Sequence, residues 1–246
     1  MSNSRVILTG ASRGIGKDIC INLLEKGYTV LTFSRHKPNI AHKNLLFAKA
    51  DLSSLLDTCN KKKIINKFKP CHLISNAGDL GEIGNIEDAN IKNWIESFNL
   101  NLFSHFILTK LAIPYIKKVN GKLIYLAGGG SASSFPHFSA YSVAKTAIVR
   151  FVENLADENK NKIIANVISP GPIYTDLMKK SFQHGHHVDK SRITTSENCI
   201  KLINFLLRNK KKFFNGKFIH AKDNYKRFTK KKHSNKFLLR RIEEKI

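Results

Sequence analysis

Short apolar runs alternate with amphipathic stretches along most of the 246-residue chain. Residues 5–10 (RVILTG) are a β-rich run that stops at glycine, and helical spacing through Ile19, Leu23 and Leu24 then leads to Gly27. Further strands are expected at 28–34, 45–48, 71–75, 122–127, 163–169 and 217–221. Helices are expected around 53–68, 91–117, 140–159 and 197–209. Strands separated by helices imply right-handed crossovers and a parallel sheet covered on both faces. The expected fold is α/β: one doubly wound parallel sheet of about seven strands with helices on both faces. No repeat and no Pro/Gly linker divides the chain, so residues 1–221 form one domain. Residues 222–246 are a basic C-terminal extension expected to pack on it. Such sheets bind ligands beyond the C-terminal strand ends, which directs attention to the loops after residues 9, 35, 51, 76, 127 and 169.

Composition narrows the class. Hydrophobic residues make up 42% and charged residues 24%, enough for a packed core. No apolar run approaches the ~20 residues of a membrane span, and MSNSRVILTG has no basic-then-apolar leader. Cys20, Cys59, Cys71 and Cys199 are scattered, which implies neither a disulfide framework nor a thiolate metal site. A soluble, cytoplasmic protein is expected. The formal charge is +24, and residues 201–246 contribute 16 basic and 3 acidic side chains. That excess is either an electrostatic footprint for a polyanion or a solvated surface. No nucleic-acid reader motif accompanies it, so neither nucleic acid nor membrane is expected as a partner.

Between the first strand and first helix lies Thr9-Gly10-Ala11-Ser12-Arg13-Gly14-Ile15-Gly16. Glycines there allow a tight turn and close backbone approach to a pyrophosphate, and the helix N-terminus supplies free N–H groups. The second strand ends in Phe33-Ser34-Arg35-His36-Lys37, without the carboxylate that would hold a ribose 2′-hydroxyl. Arg35 and Arg13 could instead grip a 2′-phosphate, so NADP(H) is favoured over NAD(H). Tyr141 and Lys145 stand at i and i+4, which puts both on one helix face. A neighbouring ammonium would lower the phenol's pKa.

The GxxxGxG turn resembles that of the short-chain dehydrogenase/reductase family, whose core is a Rossmann-type sheet. Asp51-Leu52 stands where the family contacts adenine. Asn76-Ala77-Gly78 resembles its NNAG, with Ser75 replacing the first asparagine. Asn101, seven residues after Trp94, is similar to the family's helix asparagine. Tyr141-Ser142-Val143-Ala144-Lys145 is a YxxxK, and Ser169-Pro170-Gly171 with Ile173 and Thr175 resembles the stretch that meets the nicotinamide. Read from residues alone, Asn76 could simply tie strands together and Asp51 could be a helix cap. The resemblance implies hydride transfer between a nicotinamide and a carbonyl or secondary alcohol. Tyr141 would carry the proton, Lys145 hold the ribose, and Asn101 anchor a relay water. Cofactor contacts would come from Gly10, Ser12, Arg13, Gly14, Ile15, Gly16, Arg35, Asp51, Leu52, Asn76, Ala77, Gly78, Tyr141, Lys145, Pro170, Gly171, Ile173 and Thr175.

One position departs from the family. Its substrate-holding serine would fall at Gly128, within Ala127-Gly128-Gly129-Gly130-Ser131. Ser131 is the nearest hydroxyl, and the glycine N–H groups are a second donor set. The GGGSA segment with Phe138-Ser139-Ala140-Tyr141 resembles a subgroup carrying LSGGGA before FSAY. His220-Ala221-Lys222-Asp223 and Leu239-Arg240-Arg241-Ile242 resemble that subgroup's ending. The resemblance implies a small, sugar-like substrate and a homodimer or homotetramer through the helices at 91–117 and 140–159. The alternative is a catalytically silent NADP(H) sensor or scaffold. His184-Gly185-His186-His187 is expected to be a solvated loop, and no metal is expected.

Overall fold

The computed structural model describes residues 4–210 and 214–226. Seven strands, β1 (Arg5–Thr9), β2 (Thr29–Ser34), β3 (Leu45–Lys49), β4 (His72–Ser75), β5 (Lys122–Leu126), β6 (Ile164–Ser169) and β7 (Lys217–His220), form one sheet in the order 3-2-1-4-5-6-7. Every pairing is parallel. The order reverses between β1 and β4, so a crevice opens at their C-terminal ends.

Strand alternation sends side chains to two separate cores. Val6 and Leu8 of β1 join Ile124 of β5 beneath α1 (Gly14–Glu25) and the helix Glu197–Arg208. Ile7, Leu123 and Tyr125 pack on the other face with Leu108, Ile116, Ile148 and Val152. Because both faces are covered, β5 and β6 are buried at every residue, the polar Lys122, Asn166 and Ser169 included. The doubly wound sheet of seven strands matches the expectation.

Helical boundaries differ from the sequence pattern in three places. The stretch 53–68 divides into α2 (Leu55–Cys59) and α3 (Lys62–Phe68). At the break, Lys61 sends its ammonium to the Lys49 carbonyl at 2.9 Å and to Asp57 at 2.6 Å. The stretch 91–117 is α4 (Ile91–Phe98) and α5 (Ser104–Lys118), joined by one widened π-type turn, Asn99–Phe103. Such turns insert one residue and re-aim a side chain; here it is Asn101 that turns inward. After α6 (Ser139–Glu158) comes an unforeseen helix, α7 (Asp176–Gln183). The Thr175 hydroxyl accepts from the Met178 N–H and Asp176 occupies the first turn, a standard start signal. Glu197–Arg208 is therefore α8.

Of the C-terminal extension, residues 222–226 are described, and Tyr225 is buried in the α1–α8 core, 5.0 Å from Phe205 ring to ring. The lysine triplet at 230–232 and the 239–242 segment lie outside the described residues, as does most of the triplet at 210–212. No described helix is long and apolar enough to cross a membrane.

Candidate active site

The crevice is a cavity of about 1160 Å³ running from the β2–β3 ends to α7. At its centre the chain leaves β1 and turns into α1. Arg13 is the N-cap of α1 and makes no side-chain capping bond, so the first-turn N–H groups beside Gly14 and Ile15 lack a side-chain acceptor. A Cβ at Gly16 would collide with the Gly10 carbonyl, so only glycine lets the helix start this close to the strand. Across the switch point, the Asn76 side-chain amide donates to the carbonyls of Thr9 (3.0 Å) and Gly10 (3.2 Å). The Thr9 hydroxyl accepts from the N–H groups of Asn76 and Ala77, both at 2.9 Å. Asn76 thus does tie β1 to β4, while still lining the cavity.

At the far end stand Arg35, Asp51 and Leu52. Asp51 accepts from the Ser53 N–H (3.0 Å) and hydroxyl (2.6 Å), which fixes the turn into α2. Among the described residues Arg35 has no ion pair, whereas Arg13 lies 3.5 Å from Asp176 in an exposed pair that links the glycine turn to α7. The cavity volume and the helix N-terminus without a side-chain cap together suit a dinucleotide. All eighteen cofactor candidates line this cavity; Asn101 and Ser131 do not.

Beside the C-terminal end of β5, Tyr141 and Lys145 project from one face of α6. The Lys145 ammonium lies 5.7 Å from the Tyr141 ring centre and donates to the Leu126 carbonyl at 3.3 Å. Burial pulls Lys145 down to about 8. Tyr141 does not follow the expectation of a lowered pKa. Burial, reinforced by the Asp79 carboxylate, pushes it up to about 12, so the phenol is held protonated. Asn101 spends its amide on the Asp79 carbonyl (2.8 Å) and the Ser97 carbonyl (3.0 Å). Its oxygen accepts from the Asp79 N–H at 3.2 Å.

His105, which sequence reasoning passed over, is fully buried one turn along. The Ala77 carbonyl, 3.1 Å from Nε2, can only accept, so Nε2 carries the proton and Nδ1 accepts from the Ser75 hydroxyl at 2.7 Å. Ser75, where the resemblance expects asparagine, is thus matched by a histidine that braces the Asn76–Gly78 turn from behind. Burial, then the nearby Lys145 charge, holds His105 well below its ordinary value. An unfolded chain would protonate this histidine first as pH falls through about 6.5. The stability it confers is therefore full above that pH and is lost progressively below it. In chemical denaturation, His105→Gln should lose less stability than wild type between about pH 8 and pH 5.5; equal losses would refute this.

Gly128 meets Tyr141 directly. A Cβ there would lie 2.8 Å from the phenol oxygen and 3.4 Å from Cε1. Ser131, the nearest hydroxyl in sequence, is buried and donates to the Gly128 carbonyl, so it holds the loop and does not face the cavity. The opposite wall is α7 with the segment after it. Leu177 packs on Leu80, Phe138 and Tyr141. The histidine segment is not simply solvated, because His186 stands edge-on to Phe135 at 4.6 Å and lines the cavity. Asp79 and Lys180 pair across the mouth at 3.2 Å. Both were missed: they are 101 positions apart and belong to no spacing motif.

What the crevice can hold sets the class. The lining runs from Arg35 past the α1 N-terminus to Tyr141 and Lys145, with room for a dinucleotide at the switch point of the sheet. The chain belongs to the short-chain dehydrogenase family, whose model matches residues 4–185. It is 31% identical over 237 residues to the 3-oxoacyl-(acyl-carrier-protein) reductase of Buchnera aphidicola, covering 87% of this chain and 94% of that one. A short chain dehydrogenase family protein of Francisella tularensis superposes with a TM-score of 0.79 at 28% identity, over 89% of this chain and 97% of that one. A short chain dehydrogenase of Shigella flexneri, complexed with NADP, superposes with a TM-score of 0.80 at 20% identity, over 91% and 98%.

Proposed function

We propose that the protein is an NADP(H)-dependent oxidoreductase interconverting a carbonyl and a secondary alcohol, with a small, sugar-like substrate. The observation that carries this reading is the buried, protonated Tyr141 beside Lys145 in a dinucleotide-sized cleft. Bound there, the nicotinamide would supply or accept hydride at the substrate carbon. In the reducing direction Tyr141 gives its proton to the substrate oxygen, and Lys145, one helical turn away, bonds the ribose and stabilises the phenolate left behind. Asn101 holds the Asp79 backbone in place on the neighbouring turn. With no serine at 128, the backbone of the glycine run takes over the substrate oxygen while Ser131 fixes that backbone. The remaining cofactor candidates line the path from Arg35 to Thr175.

Preference for NADP(H) rests on Arg35, which has no acidic partner among the described residues; Arg13, the other candidate, is instead paired with Asp176. The Shigella flexneri protein, which binds NADP, is consistent with it. Arg35→Asp should weaken NADPH binding by at least tenfold more than NADH binding, since it removes a cation and adds repulsion. Calorimetric titration of both cofactors decides this, and equal loss for both would remove the 2′-phosphate argument.

Exposed Ile91 and Ile95 of α4, Phe103 and Phe106 leading into α5, and Val143 of α6 support assembly as a homodimer or homotetramer. Buried Tyr225 supports packing of the described part of the extension, residues 222–226, on the domain. A silent NADP(H)-binding sensor is the second reading, favoured by Gly128 alone. Following nicotinamide absorbance with NADPH and a panel of ketones and aldehydes separates the two, because a sensor would bind the cofactor and turn over none of them.

A further inference from the structure

Asp79 and Lys180 line the cavity beside Tyr141; the Asp79 carboxylate acts on the phenol through space, but neither side chain is the proton carrier or one of the cofactor-contact candidates. Asp79 is fixed from behind: its N–H donates to Asn101 and its carbonyl accepts from the Asn101 amide, at 3.2 and 2.8 Å. Lys180 is one turn beyond Leu177, whose side chain packs beside Tyr141, so the ammonium overlooks the same space. The ammonium meets Asp79 Oδ1 at 3.2 Å, and the Gly81 N–H donates to the same oxygen at 3.4 Å. Among the described residues Asp79 Oδ2 accepts no hydrogen bond, and Lys180 has two N–H groups to spare. The pair is only partly buried, with the two side chains 39% and 44% exposed. On the facing loop, Ser133 and Ser134 also line the cavity with hydroxyls exposed.

We propose that Asp79 and Lys180 together recognise the substrate, and that they select a neutral carbonyl compound carrying hydroxyl groups. The word carbonyl rests on the oxidoreductase reading; the preference for hydroxyls rests on the pair. A carboxylate beside an ammonium offers one acceptor and several donors with no net charge. A diol answers both at once, because each hydroxyl can donate and accept. An anionic substrate would gain Lys180 only by facing the Asp79 carboxylate, and a cationic one would face Lys180. An apolar ketone would strip water from both charges and return nothing.

The test compares three four-carbon ketones, erythrulose, butanone and 2-oxobutanoate, as ligands of the protein saturated with NADP+, by calorimetry or saturation-transfer NMR. Wild type should bind erythrulose at least tenfold more tightly than either of the others. Asp79→Asn and Lys180→Met should each erase that preference. Lys180→Gln, at a half-exposed helix position, provides a second variant, and a cooperative melting transition identifies folded protein. A preference for butanone or 2-oxobutanoate, variants that keep the erythrulose preference, or no binding of erythrulose would overturn the proposal. NADPH-dependent turnover measured in parallel keeps the two readings apart. Pair-dependent erythrulose binding without reduction of any ketone would remove the oxidoreductase reading and leave the pair. Reduction of ketones without a hydroxyl preference would do the reverse.

Discussion

Tyr141→Phe is expected to lower NADPH-dependent turnover by about a thousandfold, within the range by which positioned proton donors accelerate such steps. NADPH affinity should stay within about twofold of wild type. The ring is packed by Leu80, Phe138 and Leu177, contacts that phenylalanine keeps, so only the hydroxyl is lost. Because burial and Asp79 hold that hydroxyl protonated, it is present as an acid throughout the neutral range, and its removal leaves the developing alkoxide without a proton source. Steady-state rates and a cofactor titration on the same preparation check both halves. Retained turnover would mean that proton transfer runs through another group.

Gly128→Ser should also damage the enzyme, although it restores the residue the family resemblance leads one to expect. The added Cβ would stand 2.8 Å from the Tyr141 oxygen, closer than such atoms approach, and the tyrosine is enclosed by apolar neighbours that resist displacement. A fall in turnover of at least tenfold is expected, and Gly128→Ala should match it, because the cost comes from the carbon and not from the hydroxyl. If the serine variant instead gains activity on simple ketones while the alanine variant loses it, the glycine is a lost catalytic group and the loop gives way more easily than its packing implies.

Much of the fold was legible because its strands are short, β-branched and bounded by turns, which one-dimensional patterning captures well. The cofactor turn was legible for a related reason: a glycine where β1 meets α1 answers a local backbone demand. Less visible were features decided by distant partners. The break at Lys61 depends on the Lys49 carbonyl, 12 positions earlier. The inward turn of Asn101 depends on its bonds to the Asp79 backbone. His105 looked like one more residue on a helix until the fold placed it behind Ala77, and the Ser75 substitution then acquired a partner. The rise in the Tyr141 pKa was likewise hidden, since YxxxK brings the lysine near but says nothing of burial or of Asp79. The helix α7 is a different case. Thr175-Asp176 is a start signal in plain view, masked by the second part Thr175 plays in the stretch that resembles the family's nicotinamide contact.

The strand order also bears on how the chain is made. The half-sheet 3-2-1-4 draws only on residues up to Ser75, so it can pair while β5, β6 and β7 are still unsynthesised. The Asn76 bonds to Thr9 and Gly10 would close the same half as soon as that residue emerges. Until residues 122–126 arrive, however, β4 is an unpaired edge on one side. The interval between Ser75 and Lys122 is therefore one in which another chain can pair with the nascent one. Slowed elongation there should favour aggregation more than the same delay after β7, when β4, β5 and β6 are all paired on both sides.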